Sequence, residues 1–196
     1  MLHEIREKLK EINERILNHN FIKMADEGKL SETQIREFFN QQWYIVNHDV
    51  RSLAIMISRS TSEEELDFFI EAMEGDYNAL KSLKDQVRPQ VIPNPQSVAY
   101  THFLSWLALY ANAGEQALAL VINLPIWAQN CKRLSEALKK NYGFNNTEFL
   151  DSFASMDFVA LDNKAEKIIS KYKGRYEEIA RLIQAYELMF WDSLII

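Results

Sequence analysis

The sequence predicts an all-α fold, a single-domain helical bundle of about seven to eight helices, on three observations. Apolar residues recur at three- and four-residue spacing over long stretches, and none of those stretches alternates as a half-buried strand does. The five glycines and four prolines fall between periodic segments rather than within strand-like alternations. Hydroxyl and amide side chains stand where helix starts need an acceptor for orphan amides.

Taken in order, Ile5, Leu9, Ile12 and Ile16 share one face of a first helix over about 2–19. Gly28 marks an ending, and Ser31-Glu32-Thr33-Gln34 has the capping-box pattern that opens a long second helix to about Arg59. Ser62-Glu63-Glu64-Glu65 opens a third, which stops before the proline-rich loop from Pro89 to Pro95. A fourth runs over about 96–111. A fifth runs over about 114–142 and ends at Gly143, where glycine supplies a left-handed cap. Thr147 caps a short helix through Ser155, another covers about 157–173 before Gly174, and the last runs from Arg175 to the end. No repeat and no linker divides the chain, so 1–196 is one domain.

Two features exceed plain bundle architecture. Pro125 lies inside the fifth helix, where it removes an amide donor and frees the carbonyl of Val121, so a kink is expected there. The second helix carries two stripes. Phe39, Trp43, Val46, Val50, Leu53 and Ile57 suit a core; beside them Gln42, Ile45, Asp49, Ser52 and Met56 mix polar with apolar groups. That second stripe reads either as a pocket lining or as a half-buried boundary, and spacing does not choose.

Composition narrows the function. Hydrophobic residues at 47% and charged residues at 26% are ordinary for a soluble globular chain. A formal net charge of -6, with Lys and Arg scattered among acids, argues against a nucleic-acid partner, which needs clustered cations. No apolar signal core follows Met1 and no apolar run is long enough for a span, so the chain reads as cytoplasmic, without a membrane partner. Cys131 is the single cysteine and forms no intramolecular disulfide. Lys132 and Arg133 follow it, but neighbours on a helix point about 100° apart, so an inert buried thiol is expected. His3, His19, His48 and His102 are far apart and none completes a Glu-x-x-His pair, so no metal site is expected. The aromatic clusters Trp43-Tyr44 and Trp106 with Tyr110 read as core, with ligand stacking as the alternative.

The chemically suggestive group is Glu187, a lone acid in Ala185-Tyr186-Glu187-Leu188-Met189-Phe190-Trp191-Asp192. On a helix, Ile183, Phe190 and Trp191 lie one turn away on its side. Desolvation there would raise its pKa toward the range a general acid or base uses. The plainer reading is a carboxylate that borders the buried stripe and reaches water.

Four segments carry a resemblance. They are His19-Asn20-Phe21; Phe39-Asn40-Gln41-Gln42-Trp43-Tyr44; Ala117 through Leu124-Pro125-Ile126-Trp127; and Tyr186-Glu187-Leu188-Met189-Phe190-Trp191. In that order they resemble the TenA/PqqC superfamily, all-α proteins of haem-oxygenase-like fold, along nearly the whole chain. TenA proteins are thiaminase II enzymes that hydrolyse aminopyrimidines in thiamin salvage. The resemblance therefore implies a small-molecule site for a pyrimidine or other heterocycle, no cofactor, and a homodimer or homotetramer. It assigns the proton-shuttling glutamate to Glu187.

The sequence departs from TenA elsewhere. The nucleophilic cysteine position holds Ile126, and Cys131 lies five residues on, roughly 140° around a helix. The pocket aspartate falls on Gln42, a nearby tyrosine on Ile45, another on Phe153, and a further one on Phe103 or, with a shift, Tyr100. Gln42 and Tyr44 are expected to orient a ligand, with Ile45, Asp49, Phe103, Ile126 and Phe153 around it. The di-iron oxidase branches need histidines that have no counterpart after His102. A PqqC-like, metal-free oxidase finds Trp43, Tyr44 and Arg51 but not its later histidine and arginine positions. Three readings follow: a divergent aminopyrimidine hydrolase without a cysteine nucleophile, a non-catalytic binder of an apolar or aromatic molecule, and a PqqC-like oxidase.

Overall fold

The computed structural model describes residues 1–87 and 90–195. Among them eleven helices follow one another: α1 (Leu2–Lys8), α2 (Lys10–Leu17), α3 (Asn20–Asp26), α4 (Glu32–Arg59), α5 (Glu63–Leu83), α6 (Pro95–Tyr110), α7 (Ala113–Val121), α8 (Leu124–Tyr142), α9 (Glu148–Ala154), α10 (Phe158–Ile169) and α11 (Tyr176–Ser193). No described residue lies in a strand.

The starts are set locally. The Ser31 hydroxyl accepts from the Gln34 amide while Gln34 Oε1 accepts from the Ser31 amide, a closed capping box. Asn112 and Glu115 repeat it on α7, and Ser62 caps α5. Gly28 and Gly143 take the left-handed conformation after α3 and at the end of α8, as an αL cap requires. Thr147 precedes α9 but does not cap it with its side chain; its hydroxyl donates to Asp151 Oδ2 at 2.8 Å.

The helix count exceeds the sequence expectation for two reasons. The first helix is interrupted at Leu9, and a separate α3 follows, capped by His19. The His19 Nδ1 accepts from the Phe21 amide at 3.1 Å, which leaves Nε2 to donate to Asp192 Oδ1 at 2.9 Å and ties α3 to α11. The expected fifth helix is two, α7 and α8. Pro125 does not kink a continuous helix: it occupies the first turn of α8, where its missing amide costs nothing. The carbonyls left open at the end of α7 are taken by Arg6, whose guanidinium donates to Val121 O at 2.7 Å and Ile122 O at 3.3 Å while pairing with Asp162. A break in the chain is thus stabilised by a residue 115 positions away.

Two apolar clusters form the core. One centres on Phe38, with Phe39, Phe190, Trp191 and Trp127 at ring centroid distances of 5.2, 5.9, 5.8 and 6.2 Å. Burying a ring of this size contributes about 2–3 kcal/mol. The other gathers Leu53, Met56, Phe68, Phe69, Leu104, Leu118, Ile168 and Ile183. The second stripe of α4 is as buried as the first: Gln42, Ile45, Asp49, Ser52 and Met56 are all buried, whereas Trp43, Val50 and Ile57 are half-buried. Trp106 and Tyr110 are exposed rather than core. Leu194 packs in the first cluster, Ile195 is exposed, and Ile196 and Pro89 lie outside the described residues. Cys131 is fully buried. No described helix is long and apolar enough to cross a membrane.

Candidate functional site

Between the two clusters lies a cavity of about 420 Å³. The second stripe of α4 forms one wall with Gln42, Ile45, Val46 and Asp49, because residues three and four apart share a helix face. Helix α5 adds Phe68, Ala72 and Asp76, and α6 adds Ser97 and Tyr100. The α7–α8 break brings Val121, Asn123 and Leu124 to the edge, next to Trp127; Ser152, Phe153, Met156, Glu187 and Phe190 close the rest. The interruption fixed by Arg6 is therefore part of the cavity.

Glu187 is buried in this wall. Its Oε1 accepts from the Trp191 indole at 2.7 Å, one turn on along α11, and the Asn123 side-chain amide also supports the carboxylate. Burial outweighs both and pushes the carboxyl up to about 7. The Asn123 Oδ1 atom is itself buried without a hydrogen-bond partner among the described residues.

A second pair of acids stands on the α4–α5 side. The Asp49 carboxyl is raised well above the ordinary range by burial, then by the charge of Asp76; Thr101 Oγ1 donates to it at 2.5 Å and opposes the shift in part. Asp76 is raised to about 7 by burial, with no donor among the described residues to offset it. Tyr100 holds its proton firmly, first through burial and then because Asp49, Asp76 and Glu187 all lie within electrostatic reach. The hydroxyl is thus a standing hydrogen-bond donor.

The residues singled out from the sequence divide accordingly. Glu187, Gln42, Ile45, Asp49 and Phe153 line one cavity. Tyr44 does not: next to Ile45 but turned about 100° around the helix, it stacks on His48 at 4.1 Å and meets His102 Nε2 at 3.2 Å. Phe103 also lies outside, packed between Trp106 and Tyr186, and Tyr100 takes the lining position on α6. Ile126 faces a shallower hollow of about 300 Å³ with Arg6, Lys10, Asn13 and Pro125, because the helix restarts at Leu124 and turns it outward. The acids lining that hollow, Glu7 and Glu14, are exposed, whereas the buried acids Asp49 and Glu187 line the larger cavity.

Asp76, Asn123 and Trp127 were not among the expected site residues, whereas Tyr100 was the expected alternative to Phe103. Cys131 does not line the cavity, and burial, then the charge of Glu187, pushes its thiol well up, which favours the protonated form. Among the described residues no group of three or more His, Cys, Asp or Glu is arranged to hold a metal ion.

In three dimensions the chain is similar to a TenA homologue from Pyrococcus furiosus, with a TM-score of 0.83 and 20% identity over 99% of this chain and 100% of the other. A protein from Sulfolobus solfataricus, provisionally described as a TenA-like thiaminase, gives 0.73 and 16% over 98% and 94%. Haem oxygenase-1 from the cyanobacterium Synechocystis gives 0.71 and 14% over 99% and 91%. At these identities the likeness shows the fold, which is haem-oxygenase-like. No curated protein matches the chain in sequence. A family model described as the TENA/THI-4/PQQC family matches residues 6–195, and the chain belongs to that family.

Proposed function

We propose that the cavity is the active site of a hydrolase for a small amine-bearing heterocycle of the aminopyrimidine class, with Glu187 as general acid and base. One observation carries this reading: the Glu187 carboxyl lies in the cavity wall, oriented by Trp191 and Asn123 and titrating near 7. Such a group exists in both protonation states at neutral pH, as acid–base catalysis requires. Family membership supports the substrate class, as does the thiaminase description of the Sulfolobus relative.

With Cys131 protonated and outside the cavity, water is the nucleophile. Glu187 as carboxylate takes a proton from the water while its oxygen bonds to carbon. The carbon–nitrogen bond breaks, its electron pair stays on nitrogen, and the proton passes to the departing amine. Gln42 offers an amide edge and Tyr100 a hydroxyl donor to the ring, with Ile45, Trp127, Phe153 and Phe190 as apolar walls.

A second reading, a non-catalytic binder, is favoured by those apolar walls and by the lack of a cysteine facing them. Ammonia release from an aminomethylpyrimidine separates the two. Wild type releases it, and Glu187→Gln is slower by about 100-fold or more. Binding with no release by wild type would leave the binder.

A further inference from the structure

The cavity is strongly biased in charge. Among the described residues its lining contains Asp49, Glu71, Asp76 and Glu187 but no Lys, Arg or His. Glu71 is exposed and paired with Lys164, which offsets it. Glu187 has Trp191 and Asn123. Among the described residues, Asp49 has only the Thr101 hydroxyl, and for Asp76 no hydrogen bond or cation opposes the cost of burial.

Elsewhere this protein treats buried acids differently. Glu65 and Glu115 are as little exposed as Asp49, yet each accepts three hydrogen bonds. Acids that serve packing are saturated here; the two on the α4–α5 wall line the cavity with fewer protein donors.

From this contrast we propose that the cavity selects a cationic amine, whose ammonium group is held by Asp49 and Asp76 while its apolar body lies against the opposite wall. Two neighbouring carboxyls suppress each other's ionisation, and a cation relieves that repulsion by pairing with both. An ammonium with three donors suits two acceptor-only groups. A carboxylate ligand would meet the same field as repulsion. The inference rests on reading the cavity as a small-molecule site but does not require hydrolysis.

The titratable groups facing a ligand are Asp49 on α4, Glu71 and Asp76 on α5, Tyr100 on α6 and Glu187 on α11. Of these, the Asp49–Asp76 pair changes state when a cation arrives, so amine binding expels protons from the protein.

Calorimetric titration with 2-phenylethylamine, 2-phenylethanol and 3-phenylpropionate tests this with nearly isosteric probes of three charges. Wild type at about pH 7 is expected to bind the amine about tenfold or more tightly than the alcohol, with the carboxylate weakest. Asp49→Asn and Asp76→Asn should each remove most of that preference while alcohol binding is retained. Because either variant could fold poorly, wild type is also titrated in two buffers of different ionisation heat, where only the amine should release protons. Equal affinities for amine and alcohol, a preference that survives both Asn replacements, or no binding by any probe at millimolar concentration would each overturn the proposal. Amine preference without aminopyrimidine turnover would retain this inference and remove the hydrolase; turnover without amine preference would do the reverse.

Discussion

The acids with little solvent exposure in this protein divide into two kinds. Glu65 and Glu115 are 1% and 5% exposed, Glu187 is 8% and Asp49 is 6%. The first two have carboxyls held below the ordinary range; the second two have them raised. Exposure alone therefore does not decide: Glu187 and Asp49 are deeply enclosed and strongly desolvated, whereas Glu65 and Glu115 lie just beneath the surface and are met by several donors. Glu65 accepts from the Thr61 amide at 2.7 Å, its hydroxyl at 3.1 Å and the Tyr172 hydroxyl at 2.5 Å, which joins α5 to the turn after α10. Glu115 accepts from the amides of Asn112 and Arg175 and from the Arg175 guanidinium, which joins α7 to the start of α11. Burial raises all of these carboxyls, and only where several donors converge is the sign reversed. Acids that connect helices are thus distinct from acids that line the cavity.

The largest effect expected from this contrast is on stability. Glu65→Gln and Glu115→Gln each lose donors to a charged acceptor and should cost about 2–3 kcal/mol at neutral pH, read as a lowered midpoint in urea. Because these folded carboxyls titrate below their unfolded value, their stabilisation is present above about 4.5 and fades as pH falls. The cost of either substitution should shrink in acid. A cost that stayed constant with pH would place it in packing instead.

Glu187 should behave in the opposite sense. Its folded carboxyl, near 7, lies above the unfolded value of 4.5, so wild type loses stability as pH rises through that window and loses none below it. The whole shift corresponds to on the order of 3 kcal/mol. Glu187→Gln removes the titration and should be more stable than wild type above neutrality by about 1–2 kcal/mol, with little difference in acid. Thermal melts across the range check it; a Gln variant that is less stable at every pH would contradict the assignment.

A smaller effect sharpens the connecting class. Gly174 has no Cβ where the Glu115 side chain passes; an added Cβ would come within 2.7 Å of Glu115 Cγ. Gly174→Ala should displace that carboxylate from Arg175 and cost about 1–2 kcal/mol, less in combination with Glu115→Gln than the sum of the two. Strict additivity in a double-mutant cycle would remove the link.

Much of the fold was legible because its signals are local. The Ser31–Gln34 box, Gly28, Gly143 and the periodic faces each act within a turn or two of themselves. The α7–α8 break was not, because Pro125 reads equally as a kink or as a helix start, and Arg6, which supplies the missing donors, is remote in sequence. The site was legible in part. Asp49 and Gln42 stood out because polar residues interleave with apolar ones on α4. Asp76 gave no such signal: it sits in a helix rich in Glu and Asp, where an acid ordinarily marks the solvated side, and only the packing of α5 on α4 brings it inward. Tyr44 lies one residue from Ile45, which on a helix turns it about 100° away from the cavity, and Phe103 lies nearly a full turn along α6 from Tyr100, beyond the cavity wall.

The most direct test of the central claim is a carbon-13 NMR titration of the glutamate side-chain carboxyls, with Glu65, Glu115 and Glu187 assigned by their Gln substitutions. Glu187 is predicted to titrate at about 7, with Glu65 and Glu115 below the ordinary carboxylate range. A Glu187 that titrates alongside surface glutamates would contradict the account.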